Sequence, residues 1–229
     1  MAVLYRGQLP KPVAYTIAAV IFTIFAVVLG YAIYSNVQSS RDTEETASKR
    51  YAEADNLVCP PQTNRIEDLE GSYPKFYCVG FDGKQGTMME FDAHGRIKLI
   101  ANYDKDKLQG EWTSYHPNGK IDTKGMMEND MRQGVWNQYY VNGELRSVKT
   151  YKDSLQNGDV ELYYQTGGLM AKGAFVDNLE QGPWKVYTPE GECARECTMV
   201  DGKEEDCEIF IKDYQITTKS YNSGDLGAL

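Results

Sequence analysis

Two histidines and five cysteines are the side chains best suited to catalysis or metal binding in this sequence. His94 precedes Gly95 and His116 precedes Pro117, so both lie in segments typical of turns, where a histidine is normally a solvated loop residue. No HExxH, GxSxG, P-loop or dinucleotide-binding motif occurs. No nucleophile can be matched with a base. We therefore predict no enzyme activity, no catalytic residues, no cofactor and no metal site.

The cysteines suggest cross-links rather than zinc. All five lie beyond the first quarter of the chain: Cys59, Cys78, Cys193, Cys197 and Cys207. The last three offer only three zinc ligands, with no histidine nearby. A turn about Gly202 would place Cys197 opposite Cys207, and Cys59 could be joined to Cys78. We expect these two disulfides, one at each end of the fold, with Cys193 as a small buried apolar residue. Pairing of Cys193 with Cys207 is the alternative.

Residues 13–34 form an uncharged apolar run long enough to cross the roughly 30 Å hydrocarbon core of a membrane as a helix. A cleaved signal peptide is the alternative, but the run is long for one and no A-x-A site follows it. Four small residues lie on one helical stripe that could contact another membrane helix, although a lipid-facing stripe explains them equally well: Ala14, Ala18, Ala26 and Gly30.

The charge distribution indicates what the rest of the chain can bind. Two of the 24 basic residues and none of the 33 acidic residues precede position 41, so the remainder has a formal charge of −11. Nucleic acid should be repelled by such a surface. The apolar run should make this a single-pass protein of the inner (cytoplasmic) membrane, and since every cysteine follows the run, the cysteines should lie on the oxidising side. Residues 1–12 would be cytoplasmic, and the C-terminal domain would lie on the periplasmic or extracellular side.

A 24-residue repeat organises residues 86–205. Five glycines mark its start: Gly86, Gly110, Gly134, Gly158 and Gly182. Two residues after each start stand Met88, Trp112, Trp136, Val160 and Trp184, and five residues after it stand Phe91, Tyr115, Tyr139, Tyr163 and Tyr187. A turn such as HPNG or YVNG follows, so each unit should be a β-hairpin. A hairpin of this size must stack on its neighbours to bury a face.

We therefore predict an all-β repeat fold, an elongated antiparallel sheet of about ten strands preceded by one transmembrane helix. Polar links such as Lys107–Gln109 should join the units. The expected division is a polar stalk or flexible linker at 35–58, a capping segment at 59–85, five repeats at 86–205, a closing strand at 206–212 and a tail at 213–229.

The repeats resemble the MORN repeat, in its bacterial variant with units near G-x-W-x-x-Y-x-x-x-G. Trp112, Tyr115 and Gly119 match that motif, and the units at Trp136 and Trp184 match it too, whereas Met88 and Val160 replace the tryptophan in the first and fourth units. The resemblance covers residues 86–205 and implies a scaffold or assembly factor. Bacterial variants are often labelled antitoxins, so an immunity protein that masks a toxin is an alternative, as is an envelope ligand-binding module.

The aromatic residues suggest where a partner would bind. The tryptophans should pack between units as the core of the sheet. Tyrosines at the sixth position lie an odd number of residues away and should face the opposite side. We therefore expect a protein partner, possibly within a membrane complex, to contact six tyrosines: Tyr115, Tyr139, Tyr140, Tyr163, Tyr164 and Tyr187.

Overall fold

A computed structural model describes residues 23–38 and 51–212, and the chain divides into two compact units, Met1–Ala52 and Glu53–Leu229. In the first unit, residues 23–38 form an exposed α-helix, α1. None of the helices described here combines the length and apolar character that a membrane crossing requires. Residues 13–22 of the expected span lie outside the described residues, as do Ala14 and Ala18. Ala26 and Gly30 both lie on α1.

A short 3-10 helix covers Ala52–Asn56, at the start of the second compact unit. Over the residues that the structure describes, this unit contains one antiparallel sheet of thirteen strands, in which strands that follow each other in the chain are hydrogen-bonded neighbours. The strands are β1 (Asn64–Asp68), β2 (Lys75–Gly80), β3 (Gly83–Phe91), β4 (Ile97–Asp104), β5 (Lys107–Tyr115), β6 (Ile121–Glu128), β7 (Met131–Tyr139), β8 (Leu145–Lys152), β9 (Leu155–Tyr163), β10 (Leu169–Val176), β11 (Leu179–Tyr187), β12 (Cys193–Val200) and β13 (Lys203–Ile209).

The all-β repeat architecture is thus confirmed. The five 24-residue units supply the ten strands β3–β12, and β1, β2 and β13 are added at the two ends. The closing strand begins at Lys203, three residues before its expected start, because the chain already reverses at Asp201 and Gly202, which both have positive φ. The end of the expected linker is also ordered against the protein, since Ala54 and Leu57 are buried.

The expected polar link between units was wrong. Lys107–Gln109 are the first residues of β5, and the chain turns earlier, at Lys105 and Asp106, whose φ angles are 52° and 65°. Two successive positive φ angles are the signature of the tight type I′ hairpin turn. The same turn occurs at residues 129–130, 153–154 and 177–178. Strands that begin a unit are therefore nine residues long rather than about five.

These tight turns tie each unit to the preceding strand pair. The second turn residue accepts a hydrogen bond through its side chain from a backbone N–H 22 residues earlier, at distances of 2.7–2.9 Å. The four donor–acceptor pairs are Lys84 with Asp106, Leu108 with Asp130, Arg132 with Ser154 and Gln156 with Asn178. This position needs a residue that tolerates positive φ and has a short side chain with an oxygen acceptor, which explains the Asp, Asn and Ser found there.

The turns at the opposite ends of the hairpins follow the expected glycine pattern. In the second repeat, which starts at Gly110, Gly119 N–H donates to the His116 carbonyl (2.9 Å) and His116 N–H donates to the Lys120 carbonyl (2.8 Å). Gly119 has a φ of 81°, a backbone conformation that residues other than Gly, Asn and Asp rarely adopt. Equivalent pairs of bonds close the turns at Gly143, Gly167 and Gly191.

The tryptophans form part of the core, as the sequence predicted. Trp136 and Trp184 are almost fully buried, and the Trp112 and Trp136 rings lie 5.5 Å apart. At the C-terminal end, Trp184 packs edge-on against Phe175 within a cluster of buried apolar side chains. Because directly paired residues of antiparallel strands point to the same side, the register defines one surface, the tryptophan face, that carries Trp112, Trp136, Val160 and Trp184.

Candidate interaction surface

The opposite side of the sheet, here called the tyrosine face, carries the sixth-position tyrosine of the last four repeat units. Each of these tyrosines is paired directly with the apolar residue that opens the return strand: Tyr115 with Ile121, Tyr139 with Leu145, Tyr163 with Leu169 and Tyr187 with Cys193. All eight side chains are half-buried, so they form a continuous stripe whose rings are supported by their neighbours. The structure therefore places four of the six sequence-predicted tyrosines on one face.

The other two tyrosines stabilise the stack of units. The Tyr140 hydroxyl donates to the Tyr163 carbonyl oxygen (2.8 Å), and the Tyr164 hydroxyl donates to the Tyr187 carbonyl oxygen (2.6 Å). His116 occupies the same position one unit earlier, and its Nε2 lies 3.0 Å from the Tyr139 carbonyl oxygen. These hydroxyl groups are therefore already used within the sheet.

Ionic and polar contacts hold other side chains of the tyrosine face in position. Lys124 pairs with Glu111 at 2.9 Å, and Lys185 pairs with Glu196 at 3.0 Å. The Tyr163 hydroxyl donates to Glu161 Oε2 at 2.5 Å, and burial together with this hydrogen bond raises the pKa of Tyr163 to about 12. This hydroxyl remains protonated at any physiological pH, so the surface keeps its charge pattern.

Exposed apolar side chains mark the same face, and the sequence analysis missed them. In β3–β12, as far as the structure describes them, every exposed large apolar side chain points to the tyrosine face, at 37–54 % exposure. They are Met126, Met131, Val135, Leu155, Val176, Leu179 and Val200. Most lie next to the tight turns. Aligning the five repeats over their full length would have revealed these apolar residues beside the Asp and Asn of the turns. Apolar patches of this kind are typical of binding surfaces.

The first units are covered on this face. Phe91 is fully buried and Thr113 is 4 % exposed, although both point to the tyrosine side. Burial raises the pKa of Tyr115, and the carboxylates of Glu111 and Glu53 raise it further. Glu53 belongs to the 3-10 helix, which therefore lies near this end of the face. The open part of the surface comprises the later units.

Neither histidine occupies a reactive arrangement. His94 is exposed in its turn beside Asp92 and Arg96, and His116 is held between the Tyr139 carbonyl and Asp122. Cys197, Glu204 and Cys207 converge within the described residues, but both sulfur atoms are committed to a disulfide and cannot serve as thiolate ligands.

Two disulfides are present, and they are the pairings favoured by the sequence analysis. Cys59 is bonded to Cys78 and Cys197 to Cys207, with Cα–Cα distances of 5.5 Å and 4.1 Å. Cys197 and Cys207 are direct partners on β12 and β13, so the second bond fastens the last strand to the sheet. The first bond ties the segment after the 3-10 helix to β2. Cys193 is a free, half-buried thiol.

We expect one free thiol per chain in material purified without reductant. Alkylation in denaturant followed by mass spectrometry should find the label on Cys193 alone, because the other four sulfur atoms are paired. Reduction before alkylation should raise the count to five and serves as the control. Five labelled cysteines without reduction would contradict both bonds.

The comparisons with known proteins agree with this fold at the level of the repeat. Residues 108–129 and 132–153 match the family model described as the MORN repeat variant. The resemblance predicted from the motif is therefore confirmed for these two adjacent units, which are MORN-variant repeats. The other units share their strand order and turns. No curated protein matches the chain.

Solved structures give only distant likenesses. The Glycosylation Associate Protein (Gap123) complex of Streptococcus agalactiae matches with 10 % identity over 47 % of this chain and a TM-score of 0.32. TarM matches with 13 % identity over 61 % of this chain and a TM-score of 0.30. The structure of accessory secretory protein 1, 2 and 3 of Streptococcus pneumoniae matches with 11 % identity over 58 % of this chain and a TM-score of 0.19. This chain spans only 20 %, 23 % and 20 % of those chains.

Proposed function

We propose that this chain is a membrane-anchored accessory or assembly subunit that binds a protein partner through its tyrosine face. The observation that carries the proposal is the concentration of exposed apolar side chains on that face. They share that face with the half-buried tyrosines and lie mostly toward the tight-turn ends of the strands, and this combination of apolar and tyrosine side chains is typical of protein interfaces. A solvated sheet face would instead carry polar residues at these positions.

The anchor in this proposal is the uncharged run at residues 13–34, retained as a single span of the inner membrane. The repeat domain would then lie on the periplasmic or extracellular side. Two disulfides support this orientation, because disulfides persist in oxidising compartments and are rare in the cytosol. The acidic surface of the domain would keep it away from anionic headgroups and leave its sheet available to a protein.

Co-purification with matched variants tests the proposal. A C-terminally tagged chain is extracted from its native membrane in mild detergent, and associated proteins are identified by mass spectrometry. Val135→Glu combined with Leu179→Glu should reduce stoichiometric capture of a partner by at least about tenfold, because two charges would be introduced into the apolar part of the proposed contact. Both side chains are exposed, so the sheet should tolerate the change better than loss of the half-buried tyrosines.

Val141→Glu is the matched control, since Val141 is 56 % exposed but lies in a turn. It should leave capture unchanged. Equal capture by the control and the double variant would exclude the tyrosine face as the contact surface. A chain that comes out of the membrane alone would contradict the accessory role and favour a ligand-binding or transient masking function.

A further inference from the structure

A small cavity opens on the tryptophan face of the third unit, on the side of the sheet opposite the proposed partner surface. It has a volume of about 120 Å³ and lies among β6, β7 and β8. Its walls include Arg132, Trp136, Gln138, Ser147, Lys149 and Tyr151. This volume exceeds what one water molecule needs, and it is well below the roughly 300–1,000 Å³ of pockets that hold drug-sized ligands.

The cavity wall is rich in hydrogen-bond donors. The Arg132 guanidinium lies 4.8 Å from the Trp136 ring and 5.4 Å from the Tyr151 ring, which fix its position by cation–π contact. Lys149 is paired directly with Trp136 across β7 and β8, so its side chain points to the same face. Within the described part of the chain, no carboxylate lies within ion-pair distance of Arg132, Arg146 or Lys149.

One buried hydrogen-bond donor of the cavity wall has no acceptor among the protein groups. Trp136 is 4 % exposed, and its indole Nε1–H has no hydrogen-bond partner. A buried donor without an acceptor is destabilising, so such groups in native proteins normally have an explanation. Burial lowers the pKa of Lys149, and the charges of Arg146 and Arg132 lower it further. Two cationic side chains, Arg132 and Lys149, thus line the cavity beside the indole in a domain that is acidic overall, and one anion could contact all three groups.

We propose that this cavity binds one compact oxyanion, a phosphate, sulfate or carboxylate group of a small molecule, with Lys149, Arg132 and the Trp136 indole N–H as its donors. Gln138 and Ser147, which are paired directly beside them, supply further polar contacts to the anion's remaining oxygens. Two charge-assisted hydrogen bonds and one neutral bond give an expected dissociation constant on the order of 1 mM. The site is independent of the proposed partner surface.

Titration of the full chain in detergent with inorganic phosphate tests the site. The ionic strength is held constant with chloride, and the indole N–H signals of the three tryptophans are followed by NMR. The Trp136 signal, identified by its absence in Trp136→Phe, should move saturably, while the Trp184 signal stays in place. Parallel titrations with sulfate and acetate distinguish a tetrahedral anion from a planar carboxylate, and saturation by any of the three supports an oxyanion site.

Lys149→Met should weaken phosphate binding at least about tenfold, because it removes one charge-assisted bond and keeps the apolar stem. Lys152→Met is the matched control on the same strand. Lys152 is exposed at the end of β8, and its replacement changes the net charge equally but should leave the affinity unchanged. Circular dichroism confirms that both variants fold. Equal affinities in the two variants, or a Trp136 shift that follows chloride as closely as phosphate, would overturn the proposal.

Discussion

Replacing Gly125 by alanine should lower the free energy of unfolding by about 3 kcal/mol and the melting temperature by roughly 6–12 °C. A Cβ atom at this position would lie 2.2 Å from the Trp136 ring, a distance that no relaxed structure tolerates. The ring cannot move aside easily, because Trp112, Tyr151 and Arg132 pack around it. Thermal unfolding followed by circular dichroism measures the effect.

Gly168→Ala is the control for this experiment. A Cβ at Gly168 would meet nothing closer than the Pro189 carbonyl oxygen at 3.5 Å, and this glycine does not have a positive φ. Its replacement should therefore leave stability unchanged or raise it slightly, since alanine reduces the entropy of the unfolded chain. Equal melting temperatures for Gly125→Ala and the wild type would show that the tryptophan packing is loose.

The same steric rule operates at each junction between units. The residue opposite the next tryptophan is small: Ala101 precedes Trp112, Gly125 precedes Trp136 and Gly173 precedes Trp184. Where the next unit carries Val160, the opposing residue is Lys149. Because Val160 is smaller than tryptophan, the opposing position can hold a long side chain, and the residue there, Lys149, is also paired directly with Trp136.

The repeat itself was predictable because its chemistry is local. A glycine in the turn and an apolar residue on each strand are visible at a spacing of 24 residues, and they determine a hairpin without reference to distant parts of the chain. The disulfide pairings followed for a related reason. The turn about Gly202 sets the register of β12 and β13, and that register brings Cys197 opposite Cys207.

The tight turns and the open surface were not predictable in the same way. The second residue of the tight turn is Asp, Ser or Asn in different units, so no one residue type marks the position throughout, although each supplies an oxygen to a backbone N–H in the neighbouring hairpin. Tyr140 and Tyr164 were expected to meet a partner because they are aromatic and polar. Their hydroxyl contacts depend on the relative position of adjacent units, which no single hairpin specifies.

Removal of the Cys59–Cys78 bond is expected to loosen the N-terminal cap of the sheet. The bond closes a loop with a sequence separation of 19, so its loss should cost about 3 kcal/mol in the chain-entropy description. Cys78 is fully buried, and the segment that carries Cys59 begins with the buried Ala54 and Leu57. Alanine at both positions avoids unpaired thiols and leaves the apolar contacts of β2 largely intact.

The loss should be confined to that end, because stacked repeats contact only their neighbours and unfold most easily from the terminal units. Hydrogen exchange read by mass spectrometry should therefore accelerate in residues 52–80 of Cys59→Ala/Cys78→Ala, while β7–β12 keep their protection. Cys193→Ala, which removes an unpaired thiol, should leave both regions as in the wild type. Uniform acceleration across the sheet would show instead that the cap and the repeats form one cooperative unit, in which the first disulfide stabilises every repeat.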